Sequence, residues 1–491
     1  MSAYLPLPSH ADSDDAEKMS SRFLQSRGEI RRSWNSKLLI ASFVVLASIL
    51  LFTFDIIYIN IPQNAITKAY SDSASSALES FISHLFPIGM PNRTDNWENE
   101  NSKAMRNLMM CMQTDTCGEN QTSIVLLSSM HFSNAIHGDV SGEDIWCAIN
   151  SLAEMGYTAI FAPDNHELAR AYRIYPDLVK IVIAEGEQTK KCFKDPTCIK
   201  TPTHPLGIPA WKMLSFHFWT GSSNPLGNKW TLSPENYGAM DPHGNSVENV
   251  YLGYSIERAC LKTSFVPSEE RPKQVYVLAK YAEFFGGNNY AYPNQTFVPP
   301  ADEPSLDDLK IVAGVRYTAD GSEVPKAIHD LGALNKEAFY EQLGKSRALI
   351  GIGRPVLSPS PYDAMCMGVP FINPIMGFDS NKPEDRTKWS TQHDGLKYQN
   401  PPYVYHVKKG DNEGFWQAVK EAVEHPIERY IFPEMTMDAL KRRVAATVEK
   451  DWRSMGAEVL KEREKSGEGE VGHSLLFYPG MLTNSVQLFE M

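Results

Sequence analysis

Positive charge is scarce in this 491-residue chain: 47 Lys and Arg stand against 59 Asp and Glu, a formal net charge of −12. Nucleic-acid binding needs concentrated Lys and Arg, so that class of partner is excluded, whereas a ligand with one or two phosphates needs only a few local donors. Cysteine is absent before Cys111, and the seven present (Cys111, Cys117, Cys147, Cys192, Cys198, Cys260, Cys366) lack the spacing and histidine partners of a zinc site. The spacing Asp-x-Asp, common in metal-dependent transferases, occurs only at Asp12-Ser13-Asp14. Hydrophobic residues are not lacking: at 42% they exclude general disorder, and the length calls for two domains rather than one core.

Charge is also missing from Leu38 to Phe54, a run of 17 residues that Ile56-Ile57-Tyr58-Ile59 extends beyond Asp55. About 20 apolar residues span a bilayer. Lys18, Arg22, Arg27, Arg31, Arg32 and Lys37 precede the run, while Asp55 and only Lys68 follow it closely. This asymmetry predicts a cytosolic tail (1–37), an uncleaved transmembrane signal anchor (38–59) and a chain whose bulk lies beyond the membrane. Asp12-Ser13-Asp14 then falls on the wrong side to serve a luminal site. The sequons at Asn92, Asn120 and Asn294 fall where glycosylation is available. Cys111/Cys117 and Cys192/Cys198 are close pairs in turn-like sequence, suited to local disulfides in an oxidising lumen. Cys147, Cys260 and Cys366 are left open as buried thiols or a bridge.

After a polar stem (60–118), two series of α/β elements follow. The first has a strand at Thr122–Ser129, a helix at Glu143–Met155 and a strand at Tyr157–Ala162. The second has strands at Lys273–Lys280, Leu309–Val315, Ala348–Ile350 and Pro370–Asn373, with helices at Lys336–Lys345 and near Tyr362. Between them residues 202–265 are rich in loops and aromatics. Two doubly wound domains with a cleft between them are the simplest architecture: 119–265 and 266–470, then a tail, 471–491. Phe415, Trp416, Val419 and Val423 recur at helical spacing, as do Leu440, Val444 and Val448 behind a Thr436 cap. Both stripes are expected to be core faces.

The most informative stretch is Ala348-Leu-Ile-Gly-Ile-Gly-Arg-Pro-Val-Leu-Ser-Pro-Ser-Pro-Tyr-Asp-Ala-Met-Cys-Met-Gly-Val-Pro-Phe-Ile-Asn-Pro374. A short buried strand runs into Gly351 and Gly353, which let a backbone approach a ligand, and a helix from about Tyr362 points its N-terminus at the same place. Phosphate suits such a turn, and Asp363, one turn in, suits a sugar hydroxyl.

From Gly351 onward this stretch resembles the donor-site segment of glycosyltransferase family 18, the alpha-1,6-mannosylglycoprotein 6-beta-N-acetylglucosaminyltransferases. Lys229–Tyr237, Val250–Glu257, His329–Asn335, Ser390–His393, Pro402–Val404 and Ile427–Glu434 resemble further blocks in the same order, so the likeness covers about 120–455. It implies a GT-B-type α/β fold of two Rossmann-like domains behind a single transmembrane helix. It also implies a type II Golgi membrane glycoprotein with a luminal catalytic region. The implied reaction is an inverting, metal-independent transfer of N-acetylglucosamine from UDP-GlcNAc to a mannose of a glycoprotein glycan, in β-1,6 linkage, with no cofactor and no metal.

By the same resemblance, Glu143 falls at the family's catalytic base, with Asp144 as runner-up. Asp363 replaces a ribose-binding glutamate and is one methylene shorter. Leu357 stands where the family has a second acid. Gly351 and Gly353 would give room beside the nucleotide, Lys280 and Lys388 would serve the diphosphate, and Trp219 and Trp230 would stack on acceptor sugar. The family's cysteine-rich C-terminal tail has no counterpart after Tyr478-Pro-Gly480. Two alternatives stand beside this reading: a GT-B transferase with another nucleotide sugar, and a membrane-anchored glycan-binding protein with a decayed site.

Overall fold

The computed structural model describes residues 96–129, 132, 143–201, 203–221, 223–241, 249–288, 290–301, 303–319 and 321–467, with 76, 77 and 80. The expected cytosolic tail, anchor, C-terminal tail and Asn92 lie outside these residues. Among the described residues no helix is long and apolar enough to cross a membrane.

A helix α1 (Asn96–Thr114) leads into strand β1 (Ile124–Ser128), all five residues of which are buried. Helix α2 (Glu143–Glu154), β2 (Thr158–Ala162), α3 (Asn165–Ile174), β3 (Val179–Glu185) and α4 (Gly186–Lys194) continue the alternation. Asp164 caps α3 by accepting from the Glu167 N–H. The loop-rich reading of 202–265 needs correcting: β4 (Met213–Phe216), β5 (Thr231–Ser233) and β6 (Val250–Tyr251) complete a parallel sheet of order β2-β1-β3-β4-β5-β6. Strands of two to four residues are too short to show a periodicity, and only neighbours distant in sequence define them. The short helices α5 (Tyr237–Met240) and α6 (Glu257–Lys262) flank β6.

The second sheet comprises β7 (Gln274–Val277), β8 (Lys310–Ala313), β9 (His329–Asp330), β10 (Leu349–Ile350), β11 (Phe371–Gly377), β12 (Ser390–Thr391) and β13 (Val404–Lys408). Its order is β12-β11-β10-β7-β8-β9 with β13 also on β11, and only β12 is antiparallel. Helices α7 (Lys336–Gly344), α8 (Ser360–Cys366) and α9 (Asn412–Glu424) belong to this half. Phe415, Trp416, Val419 and Val423 of α9 enter its core, as their spacing predicts.

The chain then returns to the first sheet. In α10 (Met437–Val448), capped by Thr436, residues Leu440, Val444 and Val448 join the apolar cluster of β1, β3 and α2. Trp452 opens α11 (Trp452–Ser466), lies 5.5 Å from Trp230 ring to ring, and donates its indole N–H to the Thr447 carbonyl at 2.8 Å. Glu449 accepts from the Tyr157 hydroxyl and pairs with Lys180, each at 2.9 Å. Arg463 donates to the Pro225 carbonyl at 2.8 Å.

Cys111–Cys117 and Cys192–Cys198 form disulfides, as their spacing suggests. A third, Cys260–Cys366, spans 106 residues and joins α6 to α8, while Cys147 is buried outside these bridges and donates its thiol to the Ser255 carbonyl at 3.1 Å. A loop of that length is worth about 4–5 kcal/mol in the chain-entropy account.

Arg271, 3% exposed, ties the amino-terminal side of the second sheet together. Its guanidinium donates to the carbonyls of Val266 (2.7 Å), Ser346 (3.0 Å), Gly368 (2.8 Å) and Met367 (2.7 Å). The last two lie just past the end of α8, where helix carbonyls lack intrahelical partners. Arg271→Met strands all four acceptors and is expected to lower folding free energy by about 3 kcal/mol or more. Urea unfolding measures this; a loss below about 1 kcal/mol would mean that water or other donors replace the guanidinium.

Candidate functional site

Parallel strands all end at one edge, and the segments that follow them collect there. Ile350 of β10 pairs with Val277 of β7, so 278–281 and 351–359 leave the second sheet side by side. The Leu278 N–H donates to the Ile350 carbonyl at 2.8 Å, and the Ala291 N–H to the Ile352 carbonyl at 2.9 Å.

Gln392, just after β12, organises the loop. Its Oε1 accepts from the Gly353 N–H at 2.7 Å and its Nε2 donates to the Pro355 carbonyl at 3.0 Å. Its own carbonyl accepts from Leu357 at 3.1 Å. A Cβ on Gly351 would stand 2.4 Å from Gln392 Oε1 and 2.9 Å from the Ile372 carbonyl oxygen. Gly353 adopts φ 103°, a region that favours glycine. Gly351 thus makes room for Gln392 and the sheet, and the Gly353 amide is held by the same glutamine.

The start of α8 also differs from expectation. Pro361 has no N–H, Ser360 donates to Ser358 Oγ at 3.4 Å, and Tyr362 and Asp363 donate to the Pro359 carbonyl at 2.9 and 3.2 Å. The first-turn amides are therefore occupied rather than free for phosphate. Asp363 is buried at 6% exposure. Burial pulls the Lys336 ammonium of α7 below its ordinary value, and the Asp363 carboxylate is the first influence raising it again. The Asp363 carboxylate thus offsets part of what burial costs the Lys336 ammonium.

Residues of the first half meet this loop. Leu357, 5% exposed and at φ 54°, packs with Tyr237 and Met240 of α5 and with Phe218. The Tyr254 hydroxyl donates to Glu235 at 3.2 Å, and its ring lies 6.3 Å from that of Tyr362. Met240 Cε and Tyr362 Oη stand 3.1 and 2.9 Å from where a Gly395 Cβ would be. The carboxyl edge of each sheet therefore contributes to one joint.

The other expected site residues divide. The backbone of Glu143 and Asp144 opens α2, the helix that follows β1; their side chains lie outside the described residues. Lys280 is exposed beside the Gly351 loop. Lys388 is exposed ahead of β12, and Ser390 of β12 pairs with Gly377 at the far end of β11. Trp219 is 50% exposed with its ring 4.9 Å from Phe218, open enough to stack on a sugar. Trp230 is not: fully buried against Trp452, it donates its indole N–H to the Trp211 carbonyl at 3.1 Å and serves the core. Among the sequons, Asn294 is exposed, whereas the Asn120 amide donates to the Met155 carbonyl at 2.8 Å. No group of three possible metal ligands occurs among the described residues.

Sequence reasoning assigned no role to Gln392, His393 or Asn373. His393 is 1% exposed, its ring edge-on to Tyr362 at 4.9 Å. Asn373 brackets its backbone, accepting from its N–H and donating to its carbonyl, both at 3.1 Å. Neither ring nitrogen has a hydrogen-bond partner. Burial pushes the imidazole down to about 3, with its own peptide and that of Ser358 acting weakly in the opposite direction. The available hint was Thr391-Gln392-His393 itself, three polar residues at a strand end beside a glycine turn.

The sequence pattern of glycosyltransferase family 18 matches residues 173–465, a stretch that includes β3 to β13 and the whole Gln392-held loop. The chain belongs to glycosyltransferase family 18. Similar relatives include alpha-1,6-mannosylglycoprotein 6-beta-N-acetylglucosaminyltransferase A of Cricetulus griseus, 25% identical over 256 residues, covering 49% of this chain and 32% of that protein. The Caenorhabditis elegans alpha-1,6-mannosylglycoprotein 6-beta-N-acetylglucosaminyltransferase is 24% identical over 249 residues, covering 47% and 33%. This chain therefore spans about a third of the length of these family-18 relatives. Among solved structures, the glycotransferase of kitacinnamycin aligns at 10% identity and TM-score 0.37, covering 66% of this chain and 95% of that one. The Methanocaldococcus jannaschii UDP-GlcNAc 2-epimerase aligns at 8% and 0.35, covering 66% and 98%.

His393 is expected to make the fold acid-sensitive. The folded state holds it neutral down to about pH 3, whereas an unfolded histidine takes a proton below about 6.5. Stability is therefore lost as pH falls through that window. Relative to His393→Phe, the wild type is expected to lose on the order of 2 kcal/mol between pH 7 and pH 4.5. Urea unfolding at the two pH values checks this; parallel losses in the two proteins would show that the imidazole is not held neutral.

Proposed function

We propose that this family-18 chain is an inverting, metal-independent GT-B glycosyltransferase. It would move N-acetylglucosamine from UDP-GlcNAc to a mannose of a glycoprotein glycan, in β-1,6 linkage. The observation that carries the reading is the family match across the loop joining β10 to α8, where both carboxyl edges meet. The names of the curated relatives supply the donor sugar and the acceptor. The signal-anchor pattern and the exposed Asn294 sequon support a type II protein of the Golgi membrane.

An inverting transfer is a single displacement. A base removes the proton of the attacking hydroxyl while the C1–O bond to the diphosphate breaks on the opposite face. Glu143, opening α2 at the carboxyl edge of the first sheet, supplies that base. Asp363 binds the uridine ribose from the second sheet, and Lys280 faces the departing diphosphate. Trp219 offers its exposed ring to the acceptor. A transferase with another nucleotide sugar is the second reading; Leu357 favours it, because its apolar packing on Tyr237 and Met240 puts no charge where the family has an acid.

In the full-length chain, UDP-GlcNAc is expected to bind and its sugar to transfer to a mannose-terminated glycan with EDTA present. Glu143→Gln is expected to lower kcat about 10²–10⁴-fold with UDP affinity unchanged. Asp363→Asn is expected to weaken UDP binding. Calorimetry and product analysis read these; failure of the wild type to bind UDP-GlcNAc would sink the proposal, and tighter binding of another UDP-sugar would select the second reading.

A further inference from the structure

The turn 393–397 holds polar groups that the protein leaves unsatisfied. His393 is one, with both ring nitrogens enclosed and unpaired. Lys397 is the other. It is 5% exposed, yet its ammonium has no carboxylate within ion-pair distance and no hydrogen-bond acceptor among the described residues. Its near neighbour is the ring of Tyr398, 5.4 Å from Nζ to centroid. A covered lysine without a counter-charge is unfavourable, and natural proteins rarely leave one unpaired. The tip is not sealed, since Nζ is absent from the fully enclosed unpaired atoms. The stem is covered and the ammonium reaches what opening remains.

Nearby carboxylates do not fill the role. Asp394 accepts from the Thr391 N–H and hydroxyl at 2.8 and 2.9 Å, and Asp385 from those of Thr387 at 3.1 and 2.6 Å. Asp241, at the end of α5, acts on the Tyr398 hydroxyl but makes no ion pair with Lys397. A second cation stands behind the turn: Arg386 donates to the Lys397 carbonyl at 3.2 Å. The turn also lies at the joint of the two halves, with Gly395 pressed between Met240 and Tyr362.

We propose that Lys397 is a donor-binding residue whose ammonium takes the diphosphate of the nucleotide-sugar, the missing counter-charge at this turn. This rests on the reading of the site as a nucleotide-sugar pocket. Neither exposed lysine singled out from the sequence combines burial with a lack of partner, so Lys397 carries the larger share of phosphate affinity.

The test uses the full-length protein with UDP, uridine and inorganic pyrophosphate as probes, read by calorimetry and thermal melting. Lys397→Met removes an unpaired covered charge, so the ligand-free melting temperature is expected to hold or rise. UDP and pyrophosphate affinity are expected to fall at least about tenfold while uridine affinity stays within about twofold, and Lys397→Arg retains UDP affinity within about threefold. UDP binding by Lys397→Met within twofold of wild type, or an equal loss of uridine, overturns the assignment while leaving the donor reading intact. A drop in the ligand-free melting temperature also overturns it, since that marks a structural lysine. Absence of UDP binding by the wild type overturns the donor reading and this assignment together.

Discussion

One buried guanidinium holds the second half of the molecule in register. Arg271 stands where β7 begins and gathers four carbonyls from three places: the approach to β7, the turn before β10 and the turn after α8. A parallel sheet cannot close its strands with tight hairpins, so the amino-terminal ends of β7 and β10 need some other tie. A planar group with five donors supplies it. Because α8 is fixed at its carboxyl end by Arg271 and to α6 by Cys260–Cys366, its amino-terminal end is free to be set by the loop above.

That loop is shaped by a side-chain amide. Gln392 reaches from β12 across to Gly353 and Pro355, and the space it fills is the space a side chain on Gly351 would need. Polar groups at this edge of the sheet come from side chains beside the loop, among them Asp363 and those of the turn carrying His393. The apolar contact of Leu357 with α5 closes the joint on the side of the first sheet.

Much of this was legible in the residue pattern. The alternation of buried strands and amphipathic helices announced two α/β halves, the stripes of α9 and α10 announced core faces, and two cysteine pairs announced local disulfides. What escaped has common causes. β4, β5 and β6 are held by parallel partners far away in sequence, and nothing in two to four residues records that. Cys260 and Cys366 meet only because α6 and α8 are packed together by the fold. Trp230 could have been a platform or a core residue, and only the arrival of Trp452 decides it. The glycines were assigned their backbone freedom, but nothing in the local sequence records that Gln392 fills the space beside Gly351. The joint itself is the hardest part to foresee, since its residues come from both sheets and from turns without a motif.

The return of α10 and α11 to the first sheet sets the timetable of assembly. The last strand of that sheet ends at Tyr251, but the helices that cover its β1–α2 face end only at Ser466, about 200 residues later. At synthesis rates of about 5–20 residues per second, the half made first waits on the order of ten to forty seconds for its cover. During that interval Trp230 and the apolar face of α2 have no Trp452 or Val444 against them. The half translated second is complete before the half translated first, so order of birth and order of burial run in opposite directions along this chain.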